Sequence, residues 1–297
     1  MSLMNQVSGQ VMAKTHKIKQ VIKSTKKTAV ITQAMQVVSA SKLPNAQKRL
    51  QKAKPFAELA ESIMAHYSPC TNHPYFNIRS DKKKEGLIII SSDRGLCGNL
   101  NLGLFKQSLM FIKENQDQGI ETVVSVVGSK AAQFFSKHTQ CLSSVENIGD
   151  QPNLKELMDV IHPMITAFDN REIDKISIAG NKFKSTLVQQ GDISTLLPLT
   201  SVQDSPIQHN YTFEPRQNIV IDTLLRHYVE SAFYSAVIEN LACEQAARMI
   251  AMKNATDNAN DLIADLNLTY NKIRQASITQ EIAEISSSSH LSHGEVS

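Results

Sequence analysis

The sequence predicts an α+β / α/β fold, in which long N- and C-terminal helices form an antiparallel coiled coil and a small α/β (Rossmann-like) domain is inserted between them. Residues 216–293 contain no glycine and no proline, the two residues that most often end helices. The N-terminal segment repeats small and apolar side chains at helical spacing. Between these segments, strand patterns alternate with helix patterns, which is typical of a largely parallel sheet.

The first predicted helix covers residues 12–68. One row of side chains at steps of three and four supports it: Ile18, Ile22, Thr25, Ala29 and Thr32. A neighbouring apolar row consists of Ile31, Met35 and Val38. Pro44 and Pro55 each remove a backbone donor and crowd the preceding turn, so we expect a kink or a short break near Pro44. Residues 1–11 are expected to form a flexible extension.

The central α/β domain is predicted over residues 85–203. Apolar runs rich in β-branched residues predict strands at 87–90, 122–127 and 175–179, and a fourth at 195–199. Helical patterns follow the first two strands, through Phe105 and Phe111 and then at 130–137. Another helical face precedes the third strand: Leu154, Leu157, Met158, Ile161, Ile165 and Phe168.

The last predicted helix covers residues 212–288, followed by a flexible extension at 289–297. Its coiled-coil seam steps by four and three: Ala255, Ala259, Leu262, Leu266, Thr269, Ile273 and Ala276. The same stepping continues upstream: Leu225, Val229, Ala232 and Ala236, then Cys243, Ala246 and Ile250. This seam is made of small residues, and a coiled coil needs a partner helix, which the N-terminal segment supplies.

The net charge of +3 is unevenly distributed along the chain. Residues 1–57 contain eleven Lys or Arg and no Asp or Glu, whereas residues 216–285 contain six basic and nine acidic residues. The basic helix either presents a solvated face that partly complements the acidic helix, or it meets an anionic partner.

Several protein classes are disfavoured by the sequence. The apolar runs are far shorter than the ~20 residues that cross a bilayer, and the first twelve residues lack the features of a secretory signal. The four cysteines show no disulfide spacing, which predicts reduced thiols in a cytosol-like compartment.

No catalytic constellation stands out in the sequence. The strand-to-helix turn at 92–99 lies where doubly wound enzymes hold phosphate, but it matches neither phosphate-binding motif, so a tight, closely packed turn is favoured over nucleotide binding. Cys97 has no neighbouring histidine to activate it. His66, Cys70 and His73 could surround a zinc ion, but an ordinary loop is favoured. We therefore predict no enzyme activity, no cofactor and no metal.

Several motifs resemble those of one family. Residues 31–42 (ITQAMQVVSASK) are similar to the N-terminal signature of the gamma subunit of F-type ATP synthases. Residues 244–258 (EQAARMIAMKNATDN) and 270–282 (YNKIRQASITQEI) resemble its C-terminal signature. The turn at 92–101 resembles its central-domain motif, and residues 211–215 (YTFEP) resemble the lead into its last helix.

The resemblance implies a central rotor shaft that performs no bond chemistry. It implies that ion flow turns the membrane c-ring and this shaft, which forces the catalytic beta subunits through successive conformations for ATP synthesis or hydrolysis. The implied partners are the alpha, beta and epsilon (delta) subunits and the c-ring, with one copy per complex. The implied location is the cytoplasmic face of the bacterial inner membrane, as a peripheral subunit, and the lack of a transit peptide favours a bacterium.

By motif position, the resemblance assigns contacts with the alpha and beta subunits to seven residues: Met35, Lys42, Arg248, Arg274, Gln275, Thr279 and Glu281. The turn of Asp93, Arg94 and Gly95 would face the epsilon subunit and the ring. Two alternatives remain. A basic coiled coil could bind nucleic acid or act as a scaffold, and the first of these predicts affinity that falls steeply with salt. An α/β enzyme would bind a nucleotide through residues 86–201.

Overall fold

The computed structural model describes the backbone of residues 2–67, 73–79, 82–199 and 217–293, and the side chains of 14–52, 55, 73–79, 82–199 and 219–283. The chain divides into two compact units. One, the paired-helix unit, comprises Met1–Val37 and Met252–Ser297, and the other, the sheet unit, comprises Val38–Ala251. The predicted motif at 211–215 lies outside the described residues.

Each of two long helices contributes one part to the paired-helix unit and another part to the sheet unit. α1 covers Ser2–Tyr67 and α5 covers Gln217–His293. α1 therefore includes most of the segment predicted to be a flexible extension. Gly9 is the only glycine before Pro44, and no proline precedes that residue, so nothing in the sequence stops the helix at residue 12. α5 likewise extends beyond the predicted end at residue 288.

Of the kink or short break predicted near Pro44, the break does not occur, because α1 continues through both Pro44 and Pro55. The missing donor and the ring clash of an internal proline cost about 3 kcal/mol. Leu43 and Leu50 are both buried on either side of Pro44. The burial of these two leucines offsets part of that cost at ~25 cal/mol per Å² of apolar surface.

The sheet unit contains five strands in the order β3-β2-β1-β4-β5. Their bounds are Lys84–Ile90 for β1, Glu121–Val127 for β2, Cys141–Val145 for β3, Lys175–Phe183 for β4 and Gln189–Leu197 for β5. β1 pairs in parallel with both β2 and β4, and β2 pairs in parallel with β3. β5 is antiparallel to β4. The sheet is thus largely parallel, as the sequence predicts.

Three shorter helices connect the strands: α2 (Leu100–Asp117), α3 (Ser129–Phe135) and α4 (Leu154–Asp169). A short 3₁₀ helix covers Pro74–Phe76. The predictions for β1, β2, β4, α2, α3 and α4 are confirmed, whereas the 3₁₀ helix was not predicted. The fourth predicted strand shares only its first residues with β5, and β3 was not predicted. β3 alternates half-buried and exposed residues over only five positions, so it lacks the continuous apolar run of a central strand.

The sheet separates two apolar layers because alternate side chains of a strand point to opposite faces. On one face, Leu87 and Ile89 of β1 pack in a cluster with residues of α2 and α3 such as Leu104 and Phe135. On the other, Ile88 and Ile90 pack in a cluster that includes α4 and part of α5. This three-layer arrangement is the α/β domain that the sequence predicts.

The part of α5 in the sheet unit does not follow the predicted seam throughout. Leu225 and Val229 are buried as expected, but the row then continues by steps of four: Phe233 and Val237, which are buried in place of Ala232 and Ala236. These residues belong to the core cluster that contains α4 and β4. Because the larger side chains fill that core, this stretch packs as a domain helix.

In the paired-helix unit, the predicted row on α1 is confirmed, with Ile22, Ala29 and Thr32 buried. On α5 the prediction is half right. From residue 252 on, the positions that are buried or half-buried are 252, 255, 256, 259, 263, 266, 270, 273, 277 and 280, whereas Leu262, Thr269 and Ala276 are exposed. Leu262 and Ile263 are both apolar, so stepping by three or by four from Ala259 was equally possible. The structure takes the step of four.

One hydrogen bond defines how the two helices meet in this unit. The hydroxyl oxygens of Thr32 and Thr256 lie 2.7 Å apart, and both side chains are buried. From this bond, the partly buried row of α5 runs toward higher residue numbers, to Gln280. The partly buried row of α1 in this unit runs toward lower residue numbers. The helices are therefore antiparallel here. No helix within the described residues has the length and apolarity needed to cross a membrane.

Candidate functional site

The β1–α2 turn is organised around the Asp93 carboxylate. Its Oδ1 accepts hydrogen bonds from the amide and hydroxyl of Ser129, at 3.0 and 3.2 Å, and from the amide of Asn147 at 2.9 Å. Its Oδ2 accepts from the amide of Gly149 at 3.2 Å. Asp93 thereby ties the start of α3 to the loop after β3. Arg94 and Gly95, next in the turn, are exposed.

Close packing against the end of β1 explains why a glycine, Gly128, precedes α3. Gly128, at the start of α3, has φ +95°, and a Cβ there would lie 2.4 Å from the carbonyl oxygen of Ser91. Ser91 in turn accepts a hydrogen bond from the amide of Ala131 at 2.8 Å. Within the turn itself, a Cβ on Gly95 or Gly98 would meet only a side chain at 3.9 or 3.8 Å, so the close packing lies at Gly128 and not at the two glycines of the turn. A carboxylate already occupies the start of α3, where a phosphate would otherwise be favoured.

Arg248 of α5 lies beside the same turn. Its Nη2 donates to Glu244 Oε1 at 2.6 Å and to the Arg94 carbonyl at 3.2 Å, and its Nε donates to the Gly95 carbonyl at 3.2 Å. The side chains of Arg248 and Glu244 are only 8% and 7% exposed. Burial raises the pKa of Glu244, although the Arg248 guanidinium opposes that shift. The predicted contact of Arg248 with a partner subunit is not supported, because its donors are directed to this turn.

A second group of polar residues joins α5 to β4. Asn181 Nδ2 donates to Asn240 Oδ1 at 2.8 Å, and both residues are buried. The Cys243 thiol donates to the Asn181 carbonyl at 3.3 Å, and burial raises the pKa of that thiol. Cys243 packs in a small cluster with Cys97. Cys97 is therefore a buried thiol, as the sequence indicates.

These joining residues were not identified from the sequence. Asn240 and Glu244 are polar residues in a stretch of α5 whose neighbours are mostly apolar or small. Buried polar side chains are hydrogen-bonded in nearly all proteins. The signal that could have found them is thus the presence of polar residues on the apolar row.

Of the three candidate zinc ligands, only His73 lies among the described side chains. His73 Nδ1 accepts from the amide of Tyr75 at 3.1 Å, and its Nε2 lies 3.2 Å from a carboxylate oxygen of Asp222. Burial lowers the pKa of His73, although Asp222 opposes the shift. The side chains of His66 and Cys70 lie outside the described residues. Among the side chains that are described, no group of three His, Cys, Asp or Glu could hold a metal.

The other predicted contact residues differ in accessibility. Arg274, Gln275, Thr279 and Glu281 are exposed on α5, and Met35 is half-buried on α1. Lys42 is half-buried, and its Nζ lies 2.6 Å from Asp150 Oδ2. The four exposed residues of α5 are thus available to a partner, whereas Lys42 already pairs within the chain.

The paired-helix unit also presents a basic surface. Six lysines between residues 14 and 27 are exposed: Lys14, Lys17, Lys19, Lys23, Lys26 and Lys27. Among the described side chains at 14–37 and 252–283, no ion pair joins α1 to α5. This favours the interpretation in which the lysines meet an external anionic partner over charge pairing with α5.

Apolar side chains lie on the same unit and face solvent. On α1 they include Val30, which is 67% exposed, and Ile31 and Val37. On α5 they include Leu268, which is 71% exposed, and Ile282. Exposed apolar side chains in this number on a thin helix pair are typical of an interaction surface.

The fold resembles solved rotors of ATP synthases. The rotor of the Euglena gracilis mitochondrial ATP synthase in rotational state 1 matches with a TM-score of 0.64 and 19% identity, covering 90% of this chain and 99% of that chain. The OSCP/F1/c-ring structure of the same enzyme in rotational state 3 gives 0.69 and 18%, covering 96% and 97%. The central stalk/c-ring of the Tetrahymena thermophila mitochondrial ATP synthase gives 0.60 and 25%, covering 76% and 99%.

The sequence itself matches a family described as ATP synthase over residues 14–290. The match spans both long helices and the whole described sheet domain, and it agrees with the motifs at both ends of the chain. The chain therefore belongs to the gamma-subunit family of the ATP synthases.

Proposed function

We propose that this chain is the central-stalk rotor subunit of an F-type ATP synthase, which couples rotation of a membrane c-ring to conformational changes in the catalytic beta subunits. Family membership makes it a non-catalytic subunit. The observation that carries the proposal is the surface of the paired-helix unit, which exposes six unpaired lysines and several large apolar side chains. A shaft of this kind offers different contacts to each of several equivalent catalytic sites as it turns.

Partner contacts of the shaft follow from the exposed residues. We assign Arg274, Gln275, Thr279 and Glu281, with Met35, to contacts with the alpha and beta subunits. The basic face of α1 is suited to acidic segments of those subunits, since unpaired lysines attract carboxylates over about a Debye length. The similarity to rotor and c-ring assemblies supports alpha, beta and c-ring partners.

The proposal also includes contacts of the β1–α2 turn with the epsilon subunit and the c-ring. The exposed Arg94 and Gly95 would face the epsilon subunit and the ring, with the half-buried Asp93 carboxylate holding the turn in place. One copy per complex and a peripheral location on the cytoplasmic face of a bacterial inner membrane complete the assignment. Quantitative mass spectrometry of a detergent-solubilised complex measures the copy number and tests for the epsilon subunit. Membrane fractionation before and after removal of the c-ring tests the location.

Co-expression with the alpha and beta subunits of the same organism tests the assignment. We expect one copy of this chain to co-elute with three copies of each subunit in size-exclusion chromatography. Changing Arg274→Ala and Gln275→Ala together should lower ATPase activity of the complex at least tenfold. A matched pair on α2, Lys113→Ala with Gln116→Ala, removes a cation and an amide from exposed positions of the sheet unit and should leave the activity within twofold. Elution of the chain alone would contradict the proposal.

A further inference from the structure

A cavity with a mixed polar and apolar lining lies within the sheet unit, between α1, the loop after β3 and α5. It has a volume of about 210 Å³, and its lining includes Lys42, Asn45 and Arg49 of α1, Asp150 of the loop and Gln245 of α5. A water molecule takes up about 30 Å³ in the liquid. The cavity therefore has room for a small polyatomic ion, but it is smaller than the ~300 Å³ of a typical drug-sized pocket.

The cavity carries more positive than negative charge. Lys42 is paired with the Asp150 carboxylate, whereas Arg49 donates through Nη1 to the Asp150 backbone carbonyl. A carbonyl is neutral, and no described carboxylate forms an ion pair with Arg49. The next charges on α5, Glu244 and Arg248, neutralise each other. Arg49 is thus the cation of the lining that no described carboxylate pairs with, and the Asp93 carboxylate, hydrogen-bonded to the amide of Gly149, is the next negative charge nearby.

Gln245 provides an independent sign of a ligand. The residue is only 5% exposed and lines the cavity. Its side-chain amide forms no hydrogen bond with any described residue, and its atoms are not sealed off from the cavity. The amide is therefore open to the cavity, where it can donate a hydrogen bond to an acceptor group that enters it.

We propose that this cavity binds an oxyanion of the phosphate or carboxylate class. Arg49 and Lys42 supply positive charge and N–H donors, and the Gln245 amide donates from the opposite helix. A guanidinium with free N–H groups is well suited to such an anion, because it can donate two parallel hydrogen bonds. The anion is either free, such as inorganic phosphate, or the acidic side chain of another protein.

Occupation of the cavity would act on the turn described above. Asp150 follows Gly149, whose amide donates to the Asp93 carboxylate. Gln245 follows Glu244, which binds Arg248 and so reaches the carbonyls of Arg94 and Gly95. An oxyanion between Arg49 and Gln245 would therefore hold together the two segments that position this turn. Binding of a free anion does not depend on the proposed rotor function, whereas binding of an acidic side chain of an alpha or beta subunit rests on it.

Calorimetric titration of the full-length chain with sodium phosphate tests the site. Sodium chloride of equal ionic strength serves as the reference. We expect saturable phosphate binding that becomes at least tenfold weaker in Arg49→Met and in Gln245→Leu. Lys48→Met removes a cation from an exposed position next to Arg49 that does not line the cavity, and its affinity should stay within twofold. Lys42→Gln serves as the second test if Gln245→Leu fails to fold, as judged by circular dichroism.

Titration of the complex with alpha and beta subunits distinguishes the two sources of the anion. Phosphate binding that persists in the complex identifies a free anion. Phosphate binding that disappears on assembly, together with weaker assembly of Arg49→Met but not of Lys48→Met, identifies an acidic side chain of a partner. The absence of saturable phosphate binding in the full-length chain would overturn the inference. So would an equal loss in Lys48→Met and Arg49→Met, because general charge attraction would then explain the binding.

Discussion

The two units of the chain bury their side chains to very different extents. In the sheet unit, large side chains such as Leu87, Phe135 and Phe168 are completely buried between a sheet and helices. In the described part of the paired-helix unit, the buried apolar side chains are Ile22, Ala29, Met252 and Ala259, each of which retains some exposure. Two of these four are alanines. The sheet unit thus has the core of an independent domain, whereas the paired helices bury little surface of their own.

This difference in burial indicates which contacts stabilise each unit. Burial of apolar surface contributes about 25 cal/mol per Å², and helices pair stably in water when such a surface is large. The seam of the paired helices supplies little of it, because its fully buried positions are few and its larger residues, such as Ile263, Leu266 and Ile273, are only half-buried. We infer that the sheet unit is stabilised internally and that the paired helices depend on partner subunits.

The largest expected change in the free energy of unfolding comes from truncating a buried side chain of the sheet unit. Phe168 is fully buried and packs against Tyr75, with the Arg79 guanidinium 4.7 Å from its ring centre. Phe168→Ala should lower the free energy of unfolding by about 4 kcal/mol, because it leaves a cavity in a rigid core. Urea unfolding followed by circular dichroism measures it. Ile22→Ala in the seam is the matched change and should cost less than about 2 kcal/mol. Equal costs would remove the distinction between the units.

A somewhat smaller effect is expected where α5 is attached to the β1–α2 turn. Arg248→Met leaves the buried Glu244 without its partner and should destabilise the sheet unit by about 3 kcal/mol. The double variant Arg248→Met with Glu244→Gln should recover part of that loss, since no buried charge then remains. Because protonation neutralises Glu244, the penalty of Arg248→Met should shrink as the pH falls. A penalty that does not change with pH and is not recovered would show that the pair contributes through packing alone.

The acid sensitivity of the sheet unit should depend on Asp174. Burial alone would raise the pKa of Asp174, but hydrogen bonds from the amides of Lys83 and Lys84 and from Arg79 outweigh burial and lower it. A carboxyl whose pKa is lowered by folding contributes stability at higher pH and loses it as the pH falls below the ordinary value of 3.8. Asp174→Asn should therefore lose less stability than the unchanged chain over that range. Parallel acid unfolding curves for the two would contradict this expectation.

The smallest effect tests the seam of the paired helices. In the isolated chain, we expect amides of residues 255–280 to exchange faster than those of β1, because so little surface is buried there. Ile263→Asn should speed this exchange about fivefold, equivalent to roughly 1 kcal/mol, whereas Leu262→Asn, at an exposed position, should not. Hydrogen exchange read by mass spectrometry measures both variants. Full protection of residues 255–280 without partners would show that the helix pair is stable alone.

Strong local patterns allowed much of the fold to be predicted. β1 and β2 were found because their apolar residues are continuous, and α4 because its buried residues repeat at helical spacing. The seam of α5 was partly wrong because adjacent apolar residues, Leu262 and Ile263, satisfy two different spacings. Only the packing against α1 selects between them. The short edge strand β3 has no strong pattern and was missed.

The candidate site was harder to predict than the fold. A charged residue on a helix is usually exposed, and the family resemblance assigned Arg248 to an external contact by motif position. Its burial depends on the carbonyls of Arg94 and Gly95, which lie more than 150 residues away in the chain. The same holds for Asp93, whose four donors come from other segments. Contacts at such sequence separations leave no local pattern.

The hydrogen bond between Thr32 and Thr256 has a consequence for slippage of the helix pair. A coiled-coil seam repeats every seven residues. Contacts among small apolar side chains therefore hardly favour the observed alignment of α1 with α5 over one in which a helix is shifted by seven residues. A displaced alignment would separate the two buried hydroxyls. One helix can therefore slide along the other only if the hydrogen bond between Thr32 and Thr256 breaks. This bond opposes sliding even though the seam buries little apolar surface.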